Sequence, residues 1–402
     1  MPFTPIVLLL TLLHGWVGWR IAAPMGAWSP LAETLVWVVL AASVVLMPLA
    51  FAGRRRRAAG GSVATLVTWA GLISMGLFST LFVLTLLRDA MLVVALLAAL
   101  ATGLAGAGWY SLDPLLAGSA AVVPGLALLA TAWGFWNARR TASVVRIDVP
   151  IAGLPEALHG FSVAQISDIH VGPTIRHGYV QRIVERVNAL GADMVAITGD
   201  LVDGSVDDLR SHVAPLSRLV STHGSFFVTG NHEYYSGAHA WIAELRSLGV
   251  QVLLNEHRVL HHERAADTFP GGIALHRDTE MVVVAGVADF SAHHFDASHR
   301  SDPHAAIRGA PAGVRLRLLL AHQPRSALAA SGAGFDLQLS GHTHGGQFWP
   351  WMHFVRYQQP FTAGLRKLGD LWVYTNRGTG YWGPPKRFGV ASEITYLRLV
   401  SA

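Results

Sequence analysis

The sequence predicts an α/β domain with mixed sheets, preceded by an all-α multi-pass membrane domain. Three observations carry that prediction. Apolar runs about 20 residues long fill the first 140 positions. After Pro150, short β-rich runs alternate with helical stretches. Polar residues then recur where apolar strands meet loops.

Composition separates the two parts. The chain of 402 residues is 52% hydrophobic and only 14% charged, against about 25% charged in an ordinary soluble domain. Residues 1–140 contain no lysine, eight arginines and three acids, Glu33, Asp89 and Asp113. The rest holds 22 basic and 22 acidic residues, so the net charge of +5 comes from the N-terminal part. Arginines that punctuate apolar runs indicate membrane topology. A nucleic-acid partner would require a basic stripe on the soluble domain, so none is expected. There is no cysteine, which excludes disulfides and thiolate metal sites.

The apolar runs lie at about 3–22, 31–52, 62–87, 90–110 and 115–137. The first is not followed by a small-residue cleavage site and a polar start, so it reads as a membrane segment and not a signal peptide. Two positive clusters, Gly53–Ala58 ("GRRRRA") and Asn137–Arg146, are expected on the cytoplasmic side. Four crossings with the N-terminus inside satisfy both and leave Arg20 and Arg88 outside. Five crossings would put one cluster outside. The run at 90–110, interrupted by Gly103, Gly106 and Gly108, is therefore expected to be short, re-entrant or interfacial. The expected domains are a membrane domain of four to five helices over 1–140, a linker with the first strand over 141–160, and the α/β domain over 161–402.

Strands are expected in "FSVAQIS", "ADMVAITG", "GSFFVTG", "VQVLLN", "MVVVAGVA", "RLRLLLAH", "FDLQLSG", "LWVYTN" and "ITYLRLV". Helices are expected over 178–191 and 237–249. Five of the strands end in polar motifs: "SDIH" (167–170), "TGDLVD" (198–203), "TGNHEY" (229–234), "AHQP" (321–324) and "SGHTHGG" (340–346). Loops at strand ends, held by a rigid sheet, are where sites are built. Asp168 and His170 are two apart and would share one side of an extended chain, as would His342 and His344. Glycines before Asp200, Asn231 and His342 allow tight turns and close approach. Carboxylate, amide oxygen and imidazole without sulfur suit Mn, Fe or Zn. Two such ions about 3.5–4 Å apart can stabilise attacking and leaving oxygens at phosphorus. Taken singly, each motif has an ordinary reading as a turn or a satisfied histidine. Their ordered occurrence at successive strand ends is what singles them out.

The order Asp-x-His, Gly-Asp, Gly-Asn-His-Glu, His, Gly-His-x-His resembles the full signature of the calcineurin-like metallophosphoesterase superfamily over residues 161–346. "GHTHGGQ" and the late "NRGTGYWGPPKRF" resemble its membrane-attached branch, which includes UDP-diacylglucosamine pyrophosphatase-like enzymes. The resemblance implies two mixed β-sheets packed face to face and flanked by helices. It also implies two divalent ions, one held by Asp168, His170 and His344 and the other by Asn231, His322 and His342, with Asp200 bridging. A hydroxide between the ions would attack phosphorus, and His232 would stabilise or protonate the leaving oxygen. The expectation is a metal-dependent phosphoesterase of the inner membrane with its catalytic domain in the cytoplasm. It would cleave a phosphodiester or pyrophosphate bond in a phosphate-ester substrate, such as a nucleotide-linked lipid. A nuclease or cyclic-nucleotide phosphodiesterase is the second reading, and a membrane scaffold or transport protein with a ligand-sensing phosphoesterase domain the third.

Other residues divide less clearly. Arg377 and Arg387 flank a Gly-rich loop and read equally as phosphate contacts or solvated charges. Glu233 and Tyr234 are candidates for orienting the ligands. His293, His294, His299 and His304 read as surface histidines.

Overall fold

A computed structural model describes residues 3–27, 29–52, 62–103, 105, 107, 111–263 and 279–402. The arginine cluster at Gly53–Ala58 lies outside the described residues, as do Leu104, Gly106 and 108–110 of the fourth apolar run. The chain forms two compact units, one of Met1–Arg139 with Gly383–Phe388, the other of Arg140–Trp382 with Gly389–Ala402.

The first unit is built from α1 (Phe3–Gly26), α2 (Pro30–Ala52), α3 (Ser62–Ala101) and α4 (Asp113–Arg139). All four are long and apolar enough to cross a membrane. They lack the polar face of a soluble helix. Leu8, Leu12, Leu31, Leu66, Leu129 and Trp133 all point outward, an arrangement suited to lipid. Val17, Ile21, Leu40, Met47, Phe78, Leu81, Val123 and Ala127 pack together inside.

The fourth apolar run is not a separate segment. Its described part, through Ala101, continues α3, a helix of 40 residues that runs about 60 Å. The charges at its middle are satisfied where they stand. Arg20 donates two hydrogen bonds of 2.8 Å to Asp89. Arg88 donates to Ser119 Oγ and to the Leu116 carbonyl, both at 2.9 Å. The segment Gly383–Phe388 belongs to this unit. There, buried Lys386 donates to the Gly76 carbonyl at 2.9 Å, to Thr131 at 3.1 Å and to Thr80. Three acceptors compensate an ammonium that has left water.

The second unit holds two six-stranded mixed sheets. Its elements in chain order are β1 (Ser143–Ile151), β2 (Ser162–Ile166), α5 (His177–Asn188), β3 (Met194–Ile197), α6 (Val206–Val213), β4 (Ser225–Phe227), α7 (Asn231–Ser236), α8 (Ala238–Ser247), β5 (Gln251–Val252), β6 (Glu256–Glu263), β7 (Thr279–Gly286), α9 (Pro303–Ile307), β8 (Leu316–Leu320), α10 (Ala327–Ala333), β9 (Leu337–Ser340), β10 (Gly364–Leu368), β11 (Leu371–Thr375) and β12 (Glu393–Ser401). One sheet runs β1-β12-β2-β3-β4-β5 and the other β10-β11-β9-β8-β7-β6. Within the first, β2, β3, β4 and β5 are mutually parallel. Within the second, β7, β8, β9 and β11 are. Parallel strands buried on both faces read as unbroken apolar runs, and every residue of β3, Met-Val-Ala-Ile, is fully buried.

A core from both sheets, including Val163, Ala196, Phe226, Val284, Leu318, Leu339 and Leu397, lies between them. This is the face-to-face pair of mixed sheets flanked by helices that the resemblance implies. A second cluster, with Val283, Leu319, Ala327, Ala330 and Val373, packs α10 on the other face of the second sheet. Helix α5 buries Val180, Ile183, Val184 and Val187, an i, i+3, i+4, i+7 stripe.

Candidate metal centre

Parallel strands end on one side, so the loops after β2, β3 and β4, and those after β8 and β9, gather the five polar motifs. Backbone bonds fix the loops to one another. Asp168 N–H donates to the Gly199 carbonyl at 3.0 Å, His170 N–H to that of Asp200 at 3.1 Å, and Gly341 N–H to that of His322 at 2.9 Å.

Asp168, His170, Asp200, His342 and His344 have φ between 50° and 69°. Among the described residues only Asn255 and Gln347 share that region without being glycine. Each such residue costs about 1–3 kcal/mol and persists only where its surroundings over-determine it. Here the left-handed turns aim donor atoms at common points. His170 Nε2 lies 3.0 Å from His344 Nε2, which in turn is 3.4 Å from Asp168 Oδ1. His322 Nε2 lies 3.2 Å from His342 Nδ1 and 3.2 Å from Asp200 Oδ2. His170 Nε2 and His232 Nε2 also approach Asp200 Oδ2, at 3.9 and 4.0 Å. With metal–nitrogen bonds of about 2.1 Å, two ligands at right angles sit about 3 Å apart. The observed nitrogen pairs have that spacing.

Asn231 supplies the test of fit. Its Oδ1 is buried and has no hydrogen-bond partner, a costly state for an amide oxygen unless a cation takes it. All seven sequence-predicted donors, Asp168, His170, Asp200, Asn231, His322, His342 and His344, are therefore buried or nearly so around Asp200. The donor set fits divalent ions that accept nitrogen and oxygen.

Sequence reasoning missed Asp203. It is the second acid of "TGDLVD", and its Oδ1 accepts from His232 Nδ1 at 2.5 Å and from His170 Nδ1 at 3.3 Å. Its place three residues after Asp200 puts it on the same loop but does not show which rings it reaches. By holding Nδ1 of both rings it presents Nε2 of each to the centre. Replacing Asp203 with asparagine is expected to lower kcat/KM about 10–100-fold without unfolding the domain, since such ligand-orienting partners carry effects of that size. Unchanged kinetics would remove its positioning role.

Glu233 anchors the same loop. Its carboxylate accepts the N–H groups of Gly230, Asp200, Leu201 and Val202 at 2.6–3.3 Å. Burial and the Asp200 charge push its pKa up to about 8, while the four amides favour the ionised form. Asp200 Oδ1 accepts the His232 N–H at 2.9 Å. Burial opposes ionisation of Asp200 and Asp203, but facing imidazoles outweigh it and hold both well below the usual carboxylate range. Burial likewise disfavours charge on His232, and Asp200 and Asp203 overcome it, pushing the imidazole up to about 9. Burial and the charge on His322 push His342 down to about 3, so its ring is a neutral donor.

The glycines give room. A Cβ on Gly341 would overlap Ser167 Oγ and Asp168 Oδ2, and one on Gly230 would overlap Asp200 Oδ1. Arg377 packs beside Gly345 and lies 3.5 Å from Glu393. Arg387 is neither solvated nor in this unit: it is 1% exposed within the helical unit, its N–H on the Gly134 carbonyl at 2.8 Å.

Comparisons with known proteins identify the family. Residues 161–346 match the model of the family described as calcineurin-like phosphoesterase. The chain is 38% identical over 287 residues to a transmembrane protein with metallophosphoesterase domain from Danio rerio, covering 69% of this chain and 62% of that one. An uncharacterized metallophosphoesterase of Campylobacter jejuni is 34% identical, covering 65% of this chain and 64% of that one. Another, from Helicobacter pylori strain J99, is 36% identical, covering 68% and 69%. The chain thus spans under two thirds of the length of the first two relatives. With the signature complete and the fold that of two packed mixed sheets, the chain belongs to the calcineurin-like metallophosphoesterases, a family of metal-dependent phosphoester hydrolases with dimetal centres, and carries four apolar helices of membrane-spanning length.

Proposed function

We propose that this protein is a membrane-anchored dimetal phosphoesterase that cleaves a phosphodiester or pyrophosphate bond in a lipid-linked substrate. The observation that carries the reading is the convergence of two histidine pairs, His170 with His344 and His322 with His342, on Asp200. In this reading Asp168, His170 and His344 hold one divalent ion, Asn231, His322 and His342 hold the other, and Asp200 touches both. Two such ions supply Lewis acidity at phosphorus and lower the pKa of bound water. Mn, Fe and Zn all suit the donor set.

The chain's own residues do the rest. Asp203 fixes His232 so that its Nε2 faces the centre, 4.0 Å from Asp200 Oδ2, where a protonated ring can donate to a departing oxygen. Arg377, at the rim beside Gly345, is a candidate contact for a phosphate oxygen.

The lipid part of the proposal rests on surroundings. The rings of Tyr235 and Trp382 stand 5.2 and 5.7 Å from that of His232, and both are exposed. Trp351, Phe354 and Tyr357 form a further exposed aromatic row in this unit. Amphipathic rings of this kind suit a substrate or surface with an apolar side. The membrane helices and positive clusters support an inner-membrane location with the catalytic unit in the cytoplasm. The balanced charge after residue 140 supports no nucleic-acid partner.

The test is hydrolysis by the purified full-length protein, with Mn²⁺ and with chelator, of an aryl phosphodiester, an aryl phosphomonoester and a UDP-linked diacyl sugar. Metal-dependent turnover of the diacyl sugar well above the aryl esters is expected. Turnover of the aryl esters alone would remove the lipid assignment. Metal binding without any turnover would favour a ligand-sensing domain.

A further inference from the structure

A second set of metal donors meets in the phosphoesterase unit, apart from the centre described above. His239 lies in the first turn of α8, Asp296 caps the turn Ala297–His299, and His299 ends it. One donor atom from each of the three lies within 4.8 Å of the other two. We propose that His239, Asp296 and His299 form a Zn²⁺ site separate from the dimetal centre.

Each donor is already oriented. Asp296 Oδ1 accepts from Ser298 N–H at 2.9 Å and Ser298 Oγ at 2.6 Å. That leaves Oδ2, which faces His239 Nε2 at 3.0 Å. His299 Nδ1 is hydrogen-bonded to the Tyr234 hydroxyl at 2.8 Å. Nε2 is then the nitrogen left for a metal. A partner on the other ring nitrogen is what fixes the tautomer and direction of a zinc-bound histidine. The two imidazoles stand with centroids 5.1 Å apart and planes tilted by 55°.

The donor chemistry chooses the ion. Two imidazoles and one carboxylate suit zinc, whereas calcium and magnesium prefer all-oxygen sets. Three protein ligands leave one position for water. An exposed His–Asp pair alone would be an ordinary surface contact worth about 0–1 kcal/mol. It would not account for a third donor within 4.8 Å whose ring is held by a tyrosine. Tyr234 lies two residues beyond His232 on α7. A bound ion therefore ties the 292–299 loop to the start of α8 and, through Tyr234, to the helix that carries Asn231 and His232.

The experiment compares full-length wild type with His239→Ala, dialysed against buffered micromolar free Zn²⁺. His239 has 75% of its side chain exposed, so its loss leaves folding intact. The expected result is one zinc fewer per chain in the variant by elemental analysis. Cobalt loading should likewise show loss of a tetrahedral visible band. Asp296→Asn is expected to reproduce both. Equal zinc content in wild type and His239→Ala would overturn the site. The readout is a difference between proteins sharing one dimetal centre, so an error in assigning that centre shifts both values equally and leaves the difference interpretable.

Discussion

Replacing Asp200 with asparagine is expected to lower metal-dependent hydrolysis at least about a thousandfold, equivalent to ~4 kcal/mol of transition-state stabilisation. It is also expected to reduce the metal retained by the centre. The change keeps the side chain's size and its Oδ1, which accepts the His232 N–H at 2.9 Å, so the loop can hold its shape. What it removes is the charge. Asp200 Oδ2 faces His322 Nε2 at 3.2 Å and His170 Nε2 at 3.9 Å, one ring from each histidine pair. An amide there would turn donors toward the ions and leave Asp168 as the one other carboxylate among the seven named donors. Measuring kcat/KM beside metal content per chain checks both halves. A variant keeping a tenth of wild-type activity would sink the bridging role.

Much of this centre was legible because the physics that builds it is local. An apolar run followed by a short polar motif marks a strand running into a loop, and β2, β3, β4, β8 and β9 all end that way. Parallel pairing then brings the ends together. The strands missed were β6, "EHRVLHHE", and β10, "GLRKL". Both are sheet edges, paired on one side only, so they keep polar side chains and carry little apolar signal.

Asp203 and Arg387 were hidden for a different reason. The role of Asp203 lies in reaching two rings, His170 and His232, that are 33 and 29 positions away along the chain. No spacing encodes that. Arg387 sits in a polar, proline-rich stretch that reads as loop, yet Gly383–Phe388 belongs to the helical unit. The 40-residue α3 was obscured by Arg88 and Asp89, which break the hydropathy pattern between two apolar runs. A charge ends an apolar run in sequence but need not end a helix. Asp89 meets Arg20, and Arg88 meets Ser119 and Leu116, so the backbone has no reason to stop.

His232 should separate chemistry from metal binding. Its Nδ1 is held by Asp203 and its Nε2 is 4.0 Å from Asp200 Oδ2, but it belongs to neither close histidine pair. His232→Asn is therefore expected to keep the metal content of wild type while kcat falls about 10²–10⁴-fold, the usual contribution of a positioned acid or base. Acting as an acid, His232 must carry a proton. Burial works against that proton, while Asp200 and Asp203 outweigh it and raise the pKa to about 9. The group is then charged at neutral pH, and wild-type kcat should fall as pH rises through the pKa. Cations on Asp200 withdraw part of that carboxylate's pull while Asp203 keeps its own, so the alkaline limb belongs at or below about 9. In the variant the limb should vanish. Its survival there would assign the proton to another group, and a loss of metal alongside activity would make His232 a ligand instead of an acid.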